Sequence, residues 1–291
     1  MSRARRGSAR RVFAVALGLL TLAACAKNAK PPDVTADTPG TPVDSVTVAL
    51  WRMDETGGTH AADAGPSRLD AVAGPDTRTI FGRFRGARSL ASSANSFLFV
   101  PYSPLLDPQA ALSIEAWIAP NAYVMFPAAA PIAVRWSPTT GDRSWAFALT
   151  GTPSPVSPTR PDWLRGEEVS RRLAFGFQPD DAGPPRTFYS LSEIELQRWT
   201  HVAVTFDGQV VRFFVNGQPD GTFATAGRIR ASQAPLLVGN YFDPRFLSDF
   251  GGDLRQGPAA DTATWYAFDG GIDELRLSRA ARTEFPLHGG R

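Results

Sequence analysis

Apolar and polar residues alternate along the segment 199–217, which reads WTHVAVTFDGQVVRFFVNG. Val202 and Val204 share one face of an extended strand, because successive side chains of a strand point to opposite sides. Asp207-Gly208 supplies residues that tolerate a positive φ, and the alternation resumes after it until Asn216-Gly217 turns the chain again. The segment therefore predicts a β-hairpin with one apolar face, followed by a second turn.

Short β-type runs separated by Gly and Pro recur from residue 46 onward, without the 3.6-residue period of a helix. Ten or more strands with such punctuation predict two packed antiparallel sheets. The predicted strands outside the hairpin are 46–52, 96–100, 112–119, 131–136, 144–150, 172–178, 186–191, 234–239 and 272–278. The sequence thus predicts one all-β domain over residues 46–284, followed by a tail at 285–291.

Four segments resemble, in the same order, the laminin-G-like members of the concanavalin A-like jelly-roll family. They are ALWRMDE at 49–55, LSIEAWIAP at 112–120, the hairpin and GGIDELRLSRAAR at 270–282. The resemblance implies an antiparallel two-sheet jelly roll with Trp51, Trp117 and Trp199 in its core. It implies little about activity, because such sandwiches carry lectins, adhesion modules, structural spacers and glycan-cleaving enzymes.

Three longer stretches interrupt the strand pattern, at 151–170, 179–185 and 241–264. Loops on a rigid scaffold often carry recognition, and an exposed aromatic ring can stack on the apolar face of a sugar. Folded inward, the same rings would instead form a lid on the core. The candidate ligand-binding residues in or beside these stretches are Trp163, Tyr241, Arg245, Trp265 and Tyr266.

A basic N-terminus with five arginines precedes an apolar run from Val12 to Ala24, which has the length of a signal-peptide core. The run ends in LAAC, which resembles a bacterial lipobox and makes Cys25, the only cysteine, the expected lipidation site. The segment RRVF at 10–13 partly resembles a twin-arginine signal, so the Sec and twin-arginine routes both remain open. We expect residues 1–24 to be a lipoprotein signal peptide that is removed.

Residues 25–45 are rich in Pro, Asp and Thr and lack apolar periodicity, which predicts a disordered tether behind the lipid. Ala26 stands where an aspartate often signals retention in the inner membrane, so the resemblance to lipoproteins favours the outer membrane. We therefore expect the membrane, contacted through the lipid on Cys25, as one partner of this protein.

The whole chain has a formal net charge of +2, and its positive sign comes from the five arginines of the leader. Subtracting them from +2 leaves −3 for the mature chain. Basic residues are scattered along the rest of the chain without a Lys/Arg cluster, which argues against a nucleic-acid partner. With no cysteine left for disulfides, the stability of the domain must come from its core.

Signatures of nucleophilic, zinc and dinucleotide chemistry are missing, because the sequence contains no GxSxG, HExxH, CxxC or GxGxxG. Glu193 and Glu195 would share one face of a strand and loosely resemble the ExDxxE pattern of related glucanases. The middle acid of that pattern is a glutamate here, and Gln197-Arg198 replaces the last acid. We expect a non-catalytic protein, with a glycan-cleaving enzyme as a low-ranking alternative, and a structural role for His201.

Acidic residues near both ends of the domain are candidates for one structural calcium ion. Members of the resembled family often carry such an ion, and the matching positions are Asp54, Asp63 and Asp273. Calcium takes six to eight oxygen ligands from carboxylates and carbonyls. The sequence fits a second interpretation equally, in which Asp63 forms an Asx-type turn and Asp273 caps the last strand.

These features together predict a lipid-anchored cell-envelope module that binds a glycan or a protein and has no catalytic activity. A structural or assembly subunit that docks on another envelope protein is the alternative of a different class. The two differ in surface chemistry, because aromatic and polar groups suit a sugar and long apolar loops suit a protein.

Overall fold

The computed structural model describes residues 40–155, 159–250, 253–256 and 266–287. Two three-residue 3-10 helices lie in these ranges, at Pro104–Leu106 and Pro244–Phe246. No helix in the described ranges is long and apolar enough to cross a bilayer. The strands are β1 (Thr47–Trp51), β2 (His60–Ala61), β3 (Ala71–Ala73), β4 (Arg78–Phe81), β5 (Gly86–Leu90), β6 (Leu98–Val100), β7 (Leu112–Ala122), β8 (Ala129–Trp136), β9 (Arg143–Thr150), β10 (Arg172–Phe177), β11 (Arg186–Glu193), β12 (Thr200–Phe206), β13 (Val210–Val215), β14 (Gln218–Ala224), β15 (Leu236–Val238), β16 (Leu247–Phe250), β17 (Asp253–Gln256) and β18 (Asp269–Ser278).

Sixteen of these strands form two antiparallel sheets, and β16 and β17 pair as a separate hairpin. Sheet A has the order β14-β13-β12-β7-β18-β5-β4, with β1 also paired to β18. Sheet B has the order β11-β10-β9-β8-β15-β6-β3-β2. The predicted all-β, two-sheet antiparallel jelly roll is confirmed.

One apolar cluster fills the space between the facing sides of the two sheets. Val202 and Val204 of β12 enter it from sheet A, and Phe147 and Phe175 of β9 and β10 enter it from sheet B. Alternate residues of these strands therefore supply the core, as the period-two pattern predicts.

The β12–β13 hairpin has the turns that the sequence predicts. Gly208 has a φ of 87°, and the second turn places Asn216 at 48° and Gly217 at 72°. Successive positive φ values at Asn-Gly are typical of the tight turns that match the twist of paired strands. Of the three tryptophans expected in the core, Trp51 and Trp117 are buried and Trp199 is half-buried.

A charged network is buried on the side of sheet A that faces away from sheet B. The Nε2 atom of His201 lies 3.1 Å from one carboxylate oxygen of Glu115, and the Nε atom of Arg276 donates to the other over 2.6 Å. His201 is 3% exposed, which agrees with a structural role. Phe214 and Phe285 cover this part of the sheet, with ring centroids 4.8 Å apart.

Both ends of the domain extend beyond the limits that the sequence predicts. Thr41, assigned to the tether, is buried, and its amide donates to Glu274 over 2.8 Å. Asp44 pairs with Arg282 at 2.6 Å. Phe285, assigned to the tail, is 5% exposed. The period-two pattern ends before these residues, so strand periodicity alone could not include them.

Glu115→Gln should lower the free energy of unfolding by roughly 3 to 5 kcal/mol near neutral pH, because it leaves Arg276 buried without its charged partner. Burial on its own raises the pKa of Glu115, but His201 and Arg276 outweigh burial and hold the pKa below the ordinary value. A lowered pKa contributes stability above the unfolded value of 4.5, and that stability is lost as the pH falls through the folded value. Urea unfolding near neutral pH and in acid measures both effects.

Glu193→Gln is the matched control, because Glu193 forms an exposed ion pair with Arg171 at 3.0 Å. An exposed pair contributes about 1 kcal/mol or less, so this variant should stay close to wild type at both pH values. Equal losses in the two variants would contradict the importance assigned to the buried network.

Candidate binding surface

Most of the predicted ligand-binding aromatics are buried on the side of sheet B that faces away from sheet A. Trp163 is 0% exposed, Tyr241 4% and Tyr266 6%. The expectation of exposed rings is wrong for these three residues. They fold inward and form a lid, which is the alternative that the sequence also allows. Trp265 lies outside the described residues. The three buried rings belong to an aromatic cluster whose buried members are Phe97, Trp136, Trp163, Tyr241, Phe242 and Tyr266.

Small residues on the outer side of sheet B make room for this cluster. Ala146 and Ala148 of β9 and Ala174 of β10 pack against the large rings. A Cβ atom on Gly176 of β10 would stand 2.4 Å from the carbonyl oxygen of Trp163. Glycine is therefore required at this position for the 151–170 stretch to lie directly on the strand.

The rings of the aromatic cluster meet edge to face. The centroids of Trp163 and Tyr241 are 6.1 Å apart at an interplanar angle of 86°, and those of Tyr241 and Tyr266 are 5.3 Å apart at 84°. The hydroxyl of Tyr266 donates to the carbonyl of Thr159 over 2.7 Å. Such contacts stabilise the packing of two insertions that are distant in the sequence.

Charged side chains surround one end of the aromatic cluster. Arg143 pairs with Asp162 at 2.6 Å, and its guanidinium lies 5.9 Å from the centre of the Trp136 ring. Arg245 pairs with Asp243, also at 2.6 Å. The hydroxyl of Thr139 lies beside them and accepts a hydrogen bond from Arg245 over 2.8 Å. We call these five residues the polar rim: Thr139, Arg143, Asp162, Asp243 and Arg245.

The side chains of the polar rim differ in exposure. Arg245 is 61% exposed, Arg143 36% and Asp162 29%, whereas Asp243 is 3% exposed. Of the four predicted ligand-binding residues that the structure describes, Arg245 alone has an exposed side chain. The rim therefore offers charged groups to solvent above a buried aromatic base.

Several buried polar atoms at this site lack a hydrogen-bond partner within the described part of the chain. They are Nε1 of Trp136, Nε1 of Trp163, Nε of Arg143 and Oδ1 of Asp162. A buried polar group without a partner costs about 1 to 3 kcal/mol, so we expect buried water to complete these bonds. Burial first, and then the charge of Asp162, raise the pKa of Tyr241, whose phenol also forms a hydrogen bond with Asp162.

Two cavities elsewhere on the surface suit a ligand less well. A pocket of about 140 Å³ beside Tyr123 and Met125 is smaller than the roughly 300 Å³ of a usual ligand site. A groove of about 690 Å³ runs past Leu105 and Pro108 and contains no aromatic residue. Its carboxylates are already paired, Asp44 with Arg282 and Asp107 with Arg135.

The structure brings two of the three calcium candidates to one turn and separates the third from them. Asp54 accepts a bond from the Gly86 amide over 3.0 Å, and Asp273 accepts one from the Phe84 amide over 2.9 Å, so both contact the β4–β5 turn. Asp63 instead accepts bonds from the amides of Leu50, Gly65 and Leu69, the last two of which close the turn around it. No group of three or more His, Cys, Asp or Glu side chains that could hold a metal occurs among the described residues.

Asp273 is the least solvated of these carboxylates. It is 0% exposed, and its Oδ1 atom has no partner among the described groups. Burial raises the pKa of Asp273 well above its ordinary range, and the neighbouring charges of Glu274 and Asp54 raise it further. Such a group is either protonated or balanced by a cation.

The two glutamates that loosely match the glucanase pattern lie apart from this chemistry. Glu193 pairs with Arg171 at 3.0 Å, and Glu195 pairs with Arg198 at 2.8 Å. Both carboxylates are about half exposed. A general acid must hold its proton at the working pH, which burial promotes and an arginine partner opposes.

The family model for the concanavalin A-like lectin/glucanases superfamily, of the laminin-G type, matches residues 92–285. The chain belongs to this superfamily. No curated protein matches the sequence. The match covers β6 to β18, and β1 to β5 complete the same two sheets outside it.

Several solved structures share the fold of this chain at low sequence identity. The binding domain of Paraclostridial Mosquitocidal Protein 1 is 11% identical, with a TM-score of 0.54, over 81% of this chain and 49% of that one. Domain 4 of AbnA, a GH43 extracellular arabinanase from Geobacillus stearothermophilus solved with arabinotriose, is 16% identical, with a TM-score of 0.52, over 81% and 93%. The binding domain of botulinum neurotoxin serotype G is 14% identical, with a TM-score of 0.52, over 81% and 48%. This chain thus spans about half the length of the chains that contain the mosquitocidal-protein and neurotoxin binding domains.

Tyr241→Ala should lower the free energy of unfolding of this concanavalin A-like domain by about 3 to 5 kcal/mol, because it removes a buried ring from the aromatic cluster. Arg171→Ala removes an exposed side chain whose partner Glu193 is also about half exposed, and it should change stability by about 1 kcal/mol or less. Chemical unfolding of both variants measures the difference. Little effect of Tyr241→Ala would show that the insertion does not pack on sheet B as described.

Proposed function

We propose that the chain is a non-catalytic recognition module of the cell envelope, anchored by a lipid on Cys25, that binds a glycan at the polar rim. The exposed charged side chains of the rim carry the proposal, because Arg245, Arg143 and Asp162 present hydrogen-bonding groups to solvent beside one another. Sugar hydroxyls both donate and accept hydrogen bonds, so they complement Asp162 as an acceptor and Arg143 and Arg245 as donors.

The neighbours in the superfamily support a binding role in general terms. Two are called binding domains, and the arabinanase domain was solved with arabinotriose. Their identity to this chain is 16% or less, so the ligand must be argued from the rim of this chain itself. We propose a neutral or acidic glycan, because two arginines are exposed there.

The carboxylates at the rim favour binding over hydrolysis. Glycoside hydrolysis needs two carboxyl groups, one to protonate the leaving group and one to act as base or nucleophile. Asp162 already pairs with Arg143, and Asp243 pairs with Arg245 and is almost fully buried. Neither is placed to hold or accept a proton freely, so we propose that the bound sugar is retained intact.

Glycan binding by a soluble chain that begins after the lipidated cysteine, residues 26–291, can be screened on an array and then measured by calorimetry. Arg245→Ala and Asp162→Asn should each weaken binding at least tenfold, about 1.4 kcal/mol, because each removes a charged hydrogen-bonding group from the rim. Arg212→Ala is the matched control, since Arg212 lies on β13 of sheet A and pairs with Asp207 in the same way.

Unchanged affinity in both rim variants would contradict the proposed site. Absence of glycan binding, together with a stable complex between the chain and an envelope protein, would instead favour the structural or assembly role.

We also propose that Asp54 and Asp273 hold one structural calcium ion and that Asp63 does not contribute. The unpartnered Oδ1 atom of Asp273 is a buried oxygen suited to ligate a cation, and Gly82 lies so close to the other oxygen of that carboxylate that no side chain fits between them. A Cβ atom on Gly82 would stand 2.6 Å from Oδ2 of Asp273. When bound, the ion would supply the positive charge that this buried carboxylate lacks.

Calcium at a hundredfold excess over its Kd should raise the free energy of unfolding by about 2.7 kcal/mol relative to chelator. Asp273→Asn should abolish that difference, whereas Asp63→Asn should keep it. In chelator, the raised pKa of Asp273 means that its ionisation costs stability as the pH rises from the unfolded value of 3.8 through the folded one. Asp273→Asn should therefore be at least as stable as wild type in chelator near neutral pH. Identical wild-type melts with calcium and chelator would exclude the ion.

A further inference from the structure

The β4–β5 hairpin presents an unusually exposed aromatic residue. Phe81, at the end of β4, is 95% exposed and is the most exposed large apolar side chain among the described residues. Ile80 beside it is 41% exposed. The strand β4 is the last strand of sheet A, so this apolar pair lies at a free edge of the sheet.

The hairpin is held firmly to the domain. The exposure of Phe81 is therefore not the result of a loose turn. The amide of Gly82 donates to the carbonyl of Arg85 over 2.9 Å. Phe84 is buried and meets Trp117 edge to face at 5.9 Å, while the Arg83 guanidinium lies 4.7 Å from the centre of the Trp117 ring. These contacts fix the turn from which Phe81 projects.

Positive charge accompanies the exposed apolar pair. Arg78 is exposed, and its described hydrogen bond goes to the carbonyl of Pro75. Arg85 is 64% exposed and lies 3.7 Å from Asp54, which balances part of its charge. The sequence contains no acidic residue from position 77 to position 106.

The N-terminal chain enters the domain beside this hairpin. A Cβ atom on Gly40, the first described residue, would stand 2.1 Å from the Oε1 atom of Glu274. Glu274 follows Asp273, whose carboxylate binds the Phe84 amide in the hairpin turn. Cys25 precedes Gly40 by 15 residues, which can span at most about 50 Å. A lipid on Cys25 would therefore keep the hairpin within reach of the membrane surface.

We propose that the β4–β5 hairpin docks on an anionic lipid surface, with Phe81 and Ile80 in the boundary between headgroups and acyl chains. Arg78 and Arg85 would bind lipid phosphate oxygens, since arginine matches phosphate geometry and anionic surfaces attract basic residues. Aromatic and aliphatic side chains next to basic ones are typical of interfacial binding. The orientation has biological use only if the chain is lipid-anchored, so it rests on that part of the proposed function.

Docking through β4 would leave the polar rim accessible. The hairpin forms one of the edges of sheet A, whereas the rim lies on sheet B beside the aromatic cluster. The same contact would restrict the rotation of the domain on its tether. The membrane would then present the rim in a defined direction rather than in all directions.

The soluble chain that begins after the lipidated cysteine, residues 26–291, tests the hairpin alone, because it contains every described strand and both large apolar clusters. Its bound fraction is measured by co-sedimentation with vesicles of phosphatidylglycerol and phosphatidylethanolamine, and with vesicles of phosphatidylcholine only. We expect binding to the anionic vesicles, at least a fivefold loss in Phe81→Ser, and a similar loss in the double variant Arg78→Ser with Arg85→Ser.

Leu191→Ser is the matched control, because Leu191 is 62% exposed on β11 of sheet B, and it should bind as wild type does. A bound fraction that is the same for wild type and Phe81→Ser, including no binding by either, overturns the proposal. The lipid anchor is tested separately by membrane fractionation of the full chain with Cys25→Ser. If wild type and Phe81→Ser bind vesicles equally while membrane fractionation still depends on Cys25, only the docking is rejected. If Phe81→Ser lowers vesicle binding while fractionation does not depend on Cys25, only the anchor is rejected.

Discussion

The outer side of β18 carries three charged residues that are all buried, and each holds a different part of the domain. Asp273 binds the β4–β5 turn, Glu274 binds the amide of Thr41, and Arg276 binds Glu115 of β7. A register shift between Asp273 and Arg276 places two consecutive acids together, with Glu274 at a φ of 52°. The same strand pairs with β1, β5 and β7, so its burial fixes sheet A and both ends of the domain.

The strands that sequence periodicity predicts are those with large apolar residues at every second position. β12 and β13 meet this condition, and so do most strands of sheet B. The strands that it missed have other compositions. β5 reads GARSL and buries Arg88 at 1% exposure, while β14 reads QPDGTFA and contains both Pro and Gly. Their pairing depends on neighbouring strands that are distant in sequence, and local alternation does not contain that information.

The aromatic cluster shows a different limit of the sequence. A ring in a long insertion can cover a sheet or face solvent, and its own local sequence is compatible with both. The strands beneath the ring decide between the two, because Ala146, Ala148 and Ala174 give the outward face of sheet B small apolar side chains. Such a face needs a cover, which predicts that nearby aromatic insertions fold inward. The pairing of Arg143 with Asp162 then depends on that packing and could not be predicted from either segment alone.

The ion pair between Asp44 and Arg282 has a consequence for how this fold can be combined with others. These residues lie near the two ends of the described domain, and close by the backbone amide of Arg279 donates to the carbonyl of Val46 over 2.9 Å, so the chain enters and leaves the domain on neighbouring strands. A domain whose ends lie close together can be inserted into a surface loop of another protein with little distortion of that loop. The same proximity makes the domain a suitable scaffold for circular permutation, with new ends placed in an insertion loop.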